Sequence, residues 1–362
     1  STTVLLADPA VAAFVAASPS LLLAFKSSRR LEERASELGA RLALPSATLA
    51  QGLENKLALA GLAREAGIGG GDDDDLVALP LQRRVDVAPD LSWEGLRALI
   101  AAGPDGVVVQ SPRGYMGRRT WAAHDDVSWA SVRAELAGRP AKVTRFVRGR
   151  PGTVNAVVDR HGSVLVSAPI VQITGEPSLT PFPLGSCGND FTWRPTPHPG
   201  EGPGELARRL GPVLARRGYR GHFGLDVVVE PRVGKAARTW LIEINPRITA
   251  SMALCSAFHP ALVEAHLAAI EERALPTQGT LPAIAGGQIL VHNLGLAPCL
   301  PLFSGEAGVT EGGPALPDSG AALWSSVTTE VEPGATRGRI VVRGPVVDAQ
   351  GRLPAFWPPS AR

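Results

Sequence analysis

Cysteine is scarce in this chain: Cys187, Cys255 and Cys299 are the only three in 362 residues. None belongs to a CxxC pair and none has a pair of histidines nearby. That excludes a zinc site and a disulfide framework and fits a reduced, cytoplasmic setting. An excess of one charge is also missing. The net charge is +2 with basic and acidic residues interleaved, so the chain lacks the basic stripe of a nucleic-acid surface. Uninterrupted apolar runs are missing too. Val4 to Phe25 is apolar, but Asp8, Pro9 and Pro19 break it and no basic residue precedes Lys26. That pattern is neither a signal peptide nor a membrane span. Lysine is sparse beside arginine, which reads as coding bias, and no internal repeat is found.

What is present is enough apolar material, 44% of the residues, for two or three packed subdomains. The most informative stretch is Asp226-Val-Val-Val-Glu230, a turn-rich gap, and Trp240-Leu-Ile-Glu-Ile-Asn-Pro-Arg247. It reads as two strands joined by a polar loop. Glu243 and Asn245 are two residues apart, so in a strand they share a face. Pairing Glu230 with Thr239 sets Asp226 opposite Glu243, and two carboxylates so placed repel. A hard cation removes that penalty, and carboxylate, amide and phosphate oxygens are what Mg²⁺ prefers. Val227, Val229, Ile242 and Ile244 are expected on the core side, with the acids together on the other. The plainer alternative is a polar hairpin end in which Glu243 only partners Arg247.

Along the chain, Val4–Ala7 reads as a buried strand, Asp8-Pro9 as a helix start, Leu21–Phe25 as a second strand and Ser28–Leu38 as a charged helix stopped at Gly39. This predicts a strand–helix–strand module with parallel strands. Leu53 to Gly67 has the apolar spacing of one helix. Gly69 to Asp75, rich in glycine and aspartate, reads as a solvated loop. Gly106–Gln110 is a predicted strand, and Ser111 to Thr120 a glycine-bearing turn in which Gly114 and Gly117 allow close backbone approach to phosphate. Another strand is expected at Ala141–Gly149 and a hairpin at Thr153–Asp159 and Ser163–Ala168. Val171 to Trp193 reads as a long pocket-shaping loop holding Gln172, Glu176, Cys187, Asn189 and Asp190. Helices are expected at Gly204–Arg217 and Ser256–Arg273, and short strands from Pro282 onward. A lone His222 reads as structural more readily than as a substrate contact.

Gly218-Tyr-Arg-Gly221-His-Phe-Gly-Leu-Asp226 followed by Glu243-Ile-Asn245-Pro-Arg247 resembles the ATP-grasp superfamily of ligases, which includes biotin carboxylase. The resemblance implies an α/β (α+β) protein with the ATP-grasp fold: an N-terminal Rossmann-like subdomain (1–75), a small lid (76–147), a central antiparallel sheet (148–280) and a β-rich C-terminal subdomain (281–362). It implies that Asp226, Glu243 and Asn245 hold Mg²⁺, with Mn²⁺ as the alternative, and that Arg247 lies near the phosphoryl-transfer site. Lys56 would reach the ATP phosphates. The glycine turn, with Arg113, Arg118 or Arg119 able to add positive charge, would cover the nucleotide, and Thr144, Phe146 and Val147 would border adenine.

Two departures stand out. The family usually has lysine where Gln110 stands, and acidic residues where Thr144 and Arg145 stand. Either an arginine substitutes at the first position or nucleotide affinity is modest. The reaction implied is ATP-dependent joining of a small-molecule carboxylate to an amine, such as an amino acid or peptide, through an acyl phosphate with release of ADP and phosphate. A carboxylase using carboxyphosphate and a degenerate nucleotide-binding regulator are the alternatives. No nucleic-acid or membrane partner is expected, and a homodimer is in keeping with the family.

Overall fold

The computed structural model describes residues 2–69, 76–101, 103–114, 117–136, 138–193, 202–292, 294, 323–326, 336–343, 345–348 and 353. Asp72–Asp75, Tyr115, Met116, Cys299 and much of the segment from Pro282 onward therefore lie outside the described residues.

The first expected strand is instead a short helix, Thr2–Leu5, with Val4 and Leu5 exposed. An apolar run this short has no period long enough to separate helix from strand, and among the described residues no strand pairs with it. The next helix, Pro9–Ala16, begins as its sequence indicates, with the Asp8 carboxylate accepting from Ala10 N and Val11 N. The parallel module is small: Leu21–Leu22 pairs with Arg41–Leu42 across the helix Arg29–Glu37, which Ser28 caps and Gly39 ends at φ +67°.

The helix expected from Leu53 to Gly67 is broken. Helix Ala47–Glu54 stops, a 3₁₀ turn covers Lys56–Ala58, and a second helix runs Leu59–Glu65. The cause is Asn55, whose extended backbone and side-chain oxygen, accepting from Leu57 N at 3.1 Å, restart the chain. The break turns both Glu54 and Lys56 into the same buried wall.

Residues 82–145 build an antiparallel four-stranded sheet in the order Gln82–Asp86, Pro140–Arg145, Val107–Gln110, Thr120–Ala123. Val107, Val109, Ala141 and Val143 face the helices Trp93–Ile100 and Asp126–Leu136. By the two-residue period, Val108, Gln110, Lys142 and Thr144 face the other way.

The main sheet has 11 strands. Its spine runs Gly286–His292, Ser186–Asp190, Ile170–Thr174, Arg150–Val158, Gly221–Arg232, Lys235–Asn245, and the strand Thr336–Arg343 adds beyond Gly286–His292. The long loop expected at 171–193 is thus two paired strands within this sheet. Its glycines and prolines mark the connection, and its strands carry too few alternating apolar residues to be read from pattern alone. The helix expected at 256–273 is two, Met252–Phe258 and Ala261–Ile270, bent by 108° at Pro260.

The two faces of the main sheet differ. Val154, Ala156, Val158, Phe223, Leu225, Val227 and Val229 meet Leu206, Leu210 and Leu214 of the helix Pro203–Arg216 in one dry core. The opposite face carries Thr153, Asn155, His222, Asp226 and Asn245, while Val157, Leu165 and Ile170 toward the strand ends pack in a core with the helix Ala261–Ile270. Among the described residues no single helix is long and apolar enough to cross a membrane.

The hairpin pairs Asp226 with Glu243 as the sequence indicates, but by another register: Glu230 pairs with Arg238 and Val229 with Thr239. A bulge at Ile242 makes up the difference. It places Leu241, rather than the expected Ile242, in the core, and leaves Ile242 and Glu243 both on the cleft side.

Leu210 is fully buried between helix and sheet. Leu210→Ala is expected to cost about 2–5 kcal/mol of stability, read by urea denaturation; a loss below about 1 kcal/mol would contradict a packed core at this point.

Candidate functional site

A cleft of about 1260 Å³ lies between the four-stranded sheet, the polar face of the main sheet and the N-terminal unit. Its wall takes in Asp226, Glu243, Asn245 and Arg247 from the hairpin and Lys56 from the helix break. It also takes in Gln110, Arg113, Gly114 and Gly117 from the strand and glycine turn, and Thr144, Phe146 and Val147 from the connecting strand. The structure brings these residues to one cleft; of the three turn arginines offered for the nucleotide, Arg113 and Arg118 line it and Arg119 does not. Of the residues expected to shape the pocket from the 171–193 segment, Gln172 and Asn189 line it. Cys187 is buried, Glu176 bonds Ser178, and the Asp190 carboxylate accepts from Val346 N at 2.6 Å, as a structural tie.

The glycine turn is docked rather than hanging free. Pro112 O accepts from Lys56 N at 3.0 Å. Gly117 sits at φ +74° where a Cβ would come within 2.4 Å of Gly185 Cα, so only glycine lets the turn rest against the main-sheet loop. Arg118 lies over the Phe182 ring at 5.4 Å.

On the floor, charges form a connected ladder. Lys56 Nζ donates to Glu243 Oε1 at 2.6 Å, and Asn245 Nδ2 donates to Asp226 Oδ2 at 3.1 Å. Arg247 Nη2 donates to Asn245 Oδ1 at 2.8 Å, and its Nε to Glu54 Oε1 at 3.3 Å. Glu54 also binds Lys26, while Phe25 stacks on the Arg247 guanidinium at 4.9 Å. Burial raises the proton affinity of Glu54, but Lys26 and Arg247 outweigh it and hold the carboxyl below its ordinary range. Asp226 goes the other way. Burial first, and then the facing Glu243 carboxylate, raise its pKa against the bonds from Asn245 and Thr153. Two carboxylates of which one is pushed toward its neutral form are a site with unmet positive charge. The donor set, two carboxylates and an amide, is all oxygen and fits a hard divalent cation. Among the described residues no group of three or more His, Cys, Asp or Glu is gathered to hold a metal ion, so the set here is two carboxylates completed by an amide.

Beneath Arg247 lies a neutral network. His222 Nδ1 meets Arg247 O at 2.8 Å, and its Nε2 is 3.2 Å from Asn155 Oδ1, which Thr249 also reaches. Burial pushes the His222 pKa down to about 3, and lowers that of His266, whose Nδ1 accepts from His222 N. His222 therefore holds the loop that carries Arg247, and works as a neutral strut.

Sequence reasoning missed Glu54, Lys26, Phe25 and Lys142. Glu54 stands two residues from Lys56, but in an unbroken helix the two would point apart, so no signal joined them. Lys142 alternates with Thr144 on a predicted strand, which was a usable signal for placing it on the sheet face turned toward the cleft. It is 2% exposed, its Nζ donates to Ile242 O at 2.8 Å, and burial lowers its pKa to about 7 against the pull of Glu243.

No family model and no curated protein matches the chain. Solved structures do. N5-carboxyaminoimidazole ribonucleotide synthetase of Thermus thermophilus superposes with TM-score 0.59 at 16% identity, over 93% of this chain and 80% of that one. The Aspergillus clavatus N5-carboxyaminoimidazole synthase in complex with ADP and 5-aminoimidazole ribonucleotide gives 0.60 at 18%, over 93% and 80%. Biotin carboxylase of Campylobacter jejuni gives 0.60 at 13%, over 92% and 72%. What the chain shares with these structures is the fold, the ATP-grasp fold.

Two outcomes follow from the floor electrostatics. Asp226→Asn removes a buried, repelled carboxylate, so the ligand-free protein is expected to melt higher at pH 7; an unchanged or lower melting temperature would refute the repulsion. His222 carries the opposite sign of dependence. Its folded pKa of about 3 lies below the ordinary 6.5, so the unfolded chain binds the proton first. Its contribution is complete above about pH 6.5 and declines as pH falls toward 3. The drop in melting temperature from pH 7 to pH 5 should be smaller in His222→Gln than in wild type.

Proposed function

We propose that the chain is an ATP-dependent ligase that activates a small-molecule carboxylate by phosphoryl transfer and joins it to an amine, releasing ADP and phosphate. The observation that carries this reading is the convergence of Asp226, Glu243 and Asn245 from adjoining strands in one cleft with Lys56, beneath a docked glycine turn and beside Arg247. An amino acid or peptide is the proposed amine, and amide-bond formation in small-molecule biosynthesis the proposed context.

A carboxylate is a poor acyl donor because its leaving group would be oxide, whereas an acyl phosphate loses phosphate readily. The chain's task is positioning and charge neutralisation. Asp226, Glu243 and Asn245 would hold Mg²⁺, which when bound offsets phosphate charge. Lys56 would turn from Glu243 toward the phosphate tail. Backbone groups of Thr144–Val147 would meet the adenine edge, which explains why the side chains there tolerate a departure from the family pattern. Arg247 offers its guanidinium as a fork, fixed by Glu54, Asn245 and the Phe25 ring, to a carboxylate or acyl phosphate. The docked turn keeps water from an intermediate that hydrolyses easily.

Carboxylation through carboxyphosphate is the alternative reading, and the cleft lining holds Glu54, His222 and His266 as titratable groups beside Arg247.

Release of ADP, screened over pairs of carboxylic acids and amino acids, tests the proposal; bicarbonate dependence would favour carboxylation instead. Glu243→Ala and Asn245→Ala should each cut turnover by roughly a hundredfold or more while the fold, followed by circular dichroism, is kept. Arg247→Lys should lower product formation more than ATP binding, since a point charge cannot replace the fork. Near wild-type turnover in the first two variants would dismiss the metal assignment.

A further inference from the structure

We propose that Lys142 supplies, from the neighbouring strand, the positive charge toward the nucleotide phosphates that Gln110 cannot give. The inference rests on the ATP-ligase reading and concerns which residue serves the phosphate tail. Gln110 and Lys142 are direct cross-strand partners, so their side chains leave the same face about 5 Å apart. That face is turned to the cleft, since Val108, Gln110 and Thr144 all line it.

Lys142 is almost wholly buried there, and among the described residues its ammonium has one hydrogen-bond partner, Ile242 O at 2.8 Å, and no carboxylate in ion-pair reach. An ammonium has three donors. Held away from water with one acceptor, and with Glu243 acting on it only from beyond ion-pair reach while bonded to Lys56, it is costly unless an anion comes to it. Ile242 is the bulge residue beside Glu243, so the bond that holds Lys142 aims it at the metal end of the floor and away from the lid core.

The distribution of lysine agrees. The chain has four lysines and uses arginine elsewhere as its ordinary cation. Lys26 and Lys56 line this cleft, Lys142 lies buried behind its lining as the cross-strand partner of Gln110, and Lys235 is exposed at the hairpin loop. A compact ammonium fits a crowded phosphate site where a planar guanidinium would not. The substitution expected from the sequence was an arginine of the glycine turn. Arg113 and Arg118 do line the cleft, but on the docked turn and not at the position paired with Gln110.

Calorimetry of the full chain with MgATP and with adenosine separates the possibilities. Lys142→Met should weaken ATP binding by roughly tenfold to a hundredfold and leave adenosine binding within about twofold. Exchanging the pair, Gln110→Lys with Lys142→Gln, should restore ATP affinity, because the charge returns to the same space. A residue that merely ties the sheet to Ile242 would weaken both ligands alike and would not be rescued by the exchange. Unchanged ATP affinity in Lys142→Met, parallel loss for adenosine, or failure of the exchange to bind ATP overturns the inference. If Lys142→Met melts below the assay temperature, the exchanged pair alone decides. Wild type that binds neither ligand refutes the ligase reading itself; wild type that binds ATP beside an indifferent Lys142→Met refutes only the role of Lys142.

Discussion

The opposition of Asp226 and Glu243 across two neighbouring strands is the constraint around which the structure is arranged. Each carboxylate alone could be solvated; facing each other at a cleft floor they cannot both be charged without a cation between them or beside them. The protein supplies part of the answer with Lys56 on Glu243 and Asn245 on Asp226, and leaves the rest open. An opposition of this kind persists only if both strands are pinned. The dry face under the helix Pro203–Arg216 does the pinning, since Leu225, Val227, Leu241 and Ile244 stand on the reverse side of the strands that carry the acids.

The other walls of the cleft are set by the same logic of local breaks in regular structure. Asn55 interrupts a helix, and Glu54 and Lys56 come to face one site. The bulge at Ile242 shifts a strand by one residue, keeps Asp226 opposite Glu243 and offers a carbonyl oxygen to Lys142. Pro246 ends the hairpin and Arg247 swings out to Glu54. Each irregularity takes a side chain away from the position that ideal geometry would assign it, and each moved side chain lines the cleft.

Much of this was legible in the chain. The acid–acid–amide pattern on two β-rich segments marked the floor, because strand alternation and the turn between them leave few registers. The caps at Asp8, Ser28 and Gly39 and the hairpin around Gly162 were equally plain, being local effects of one or two residues. What could not be read was local regularity that failed: one expected helix that became two pieces with a 3₁₀ turn, another bent at Pro260, and a glycine- and proline-rich segment that proved to hold two inner strands. The two helices fail at single residues, Asn55 and Pro260, whereas the strand Ser186–Asp190 depends on a partner far along the chain, Gly286–His292.

The sequence by itself therefore determined the chemistry of the floor and the kind of fold. The order of acidic, amide and apolar residues along a strand sets which groups share a face, and that order is a covalent fact. Only the tertiary structure decided which cations serve that floor. Lys142 lies 100 residues from Ile242 and Glu54 lies 193 from Arg247. Charges so distant in the chain meet only once sheet, lid and N-terminal unit have packed, and neither spacing nor periodicity carries that meeting.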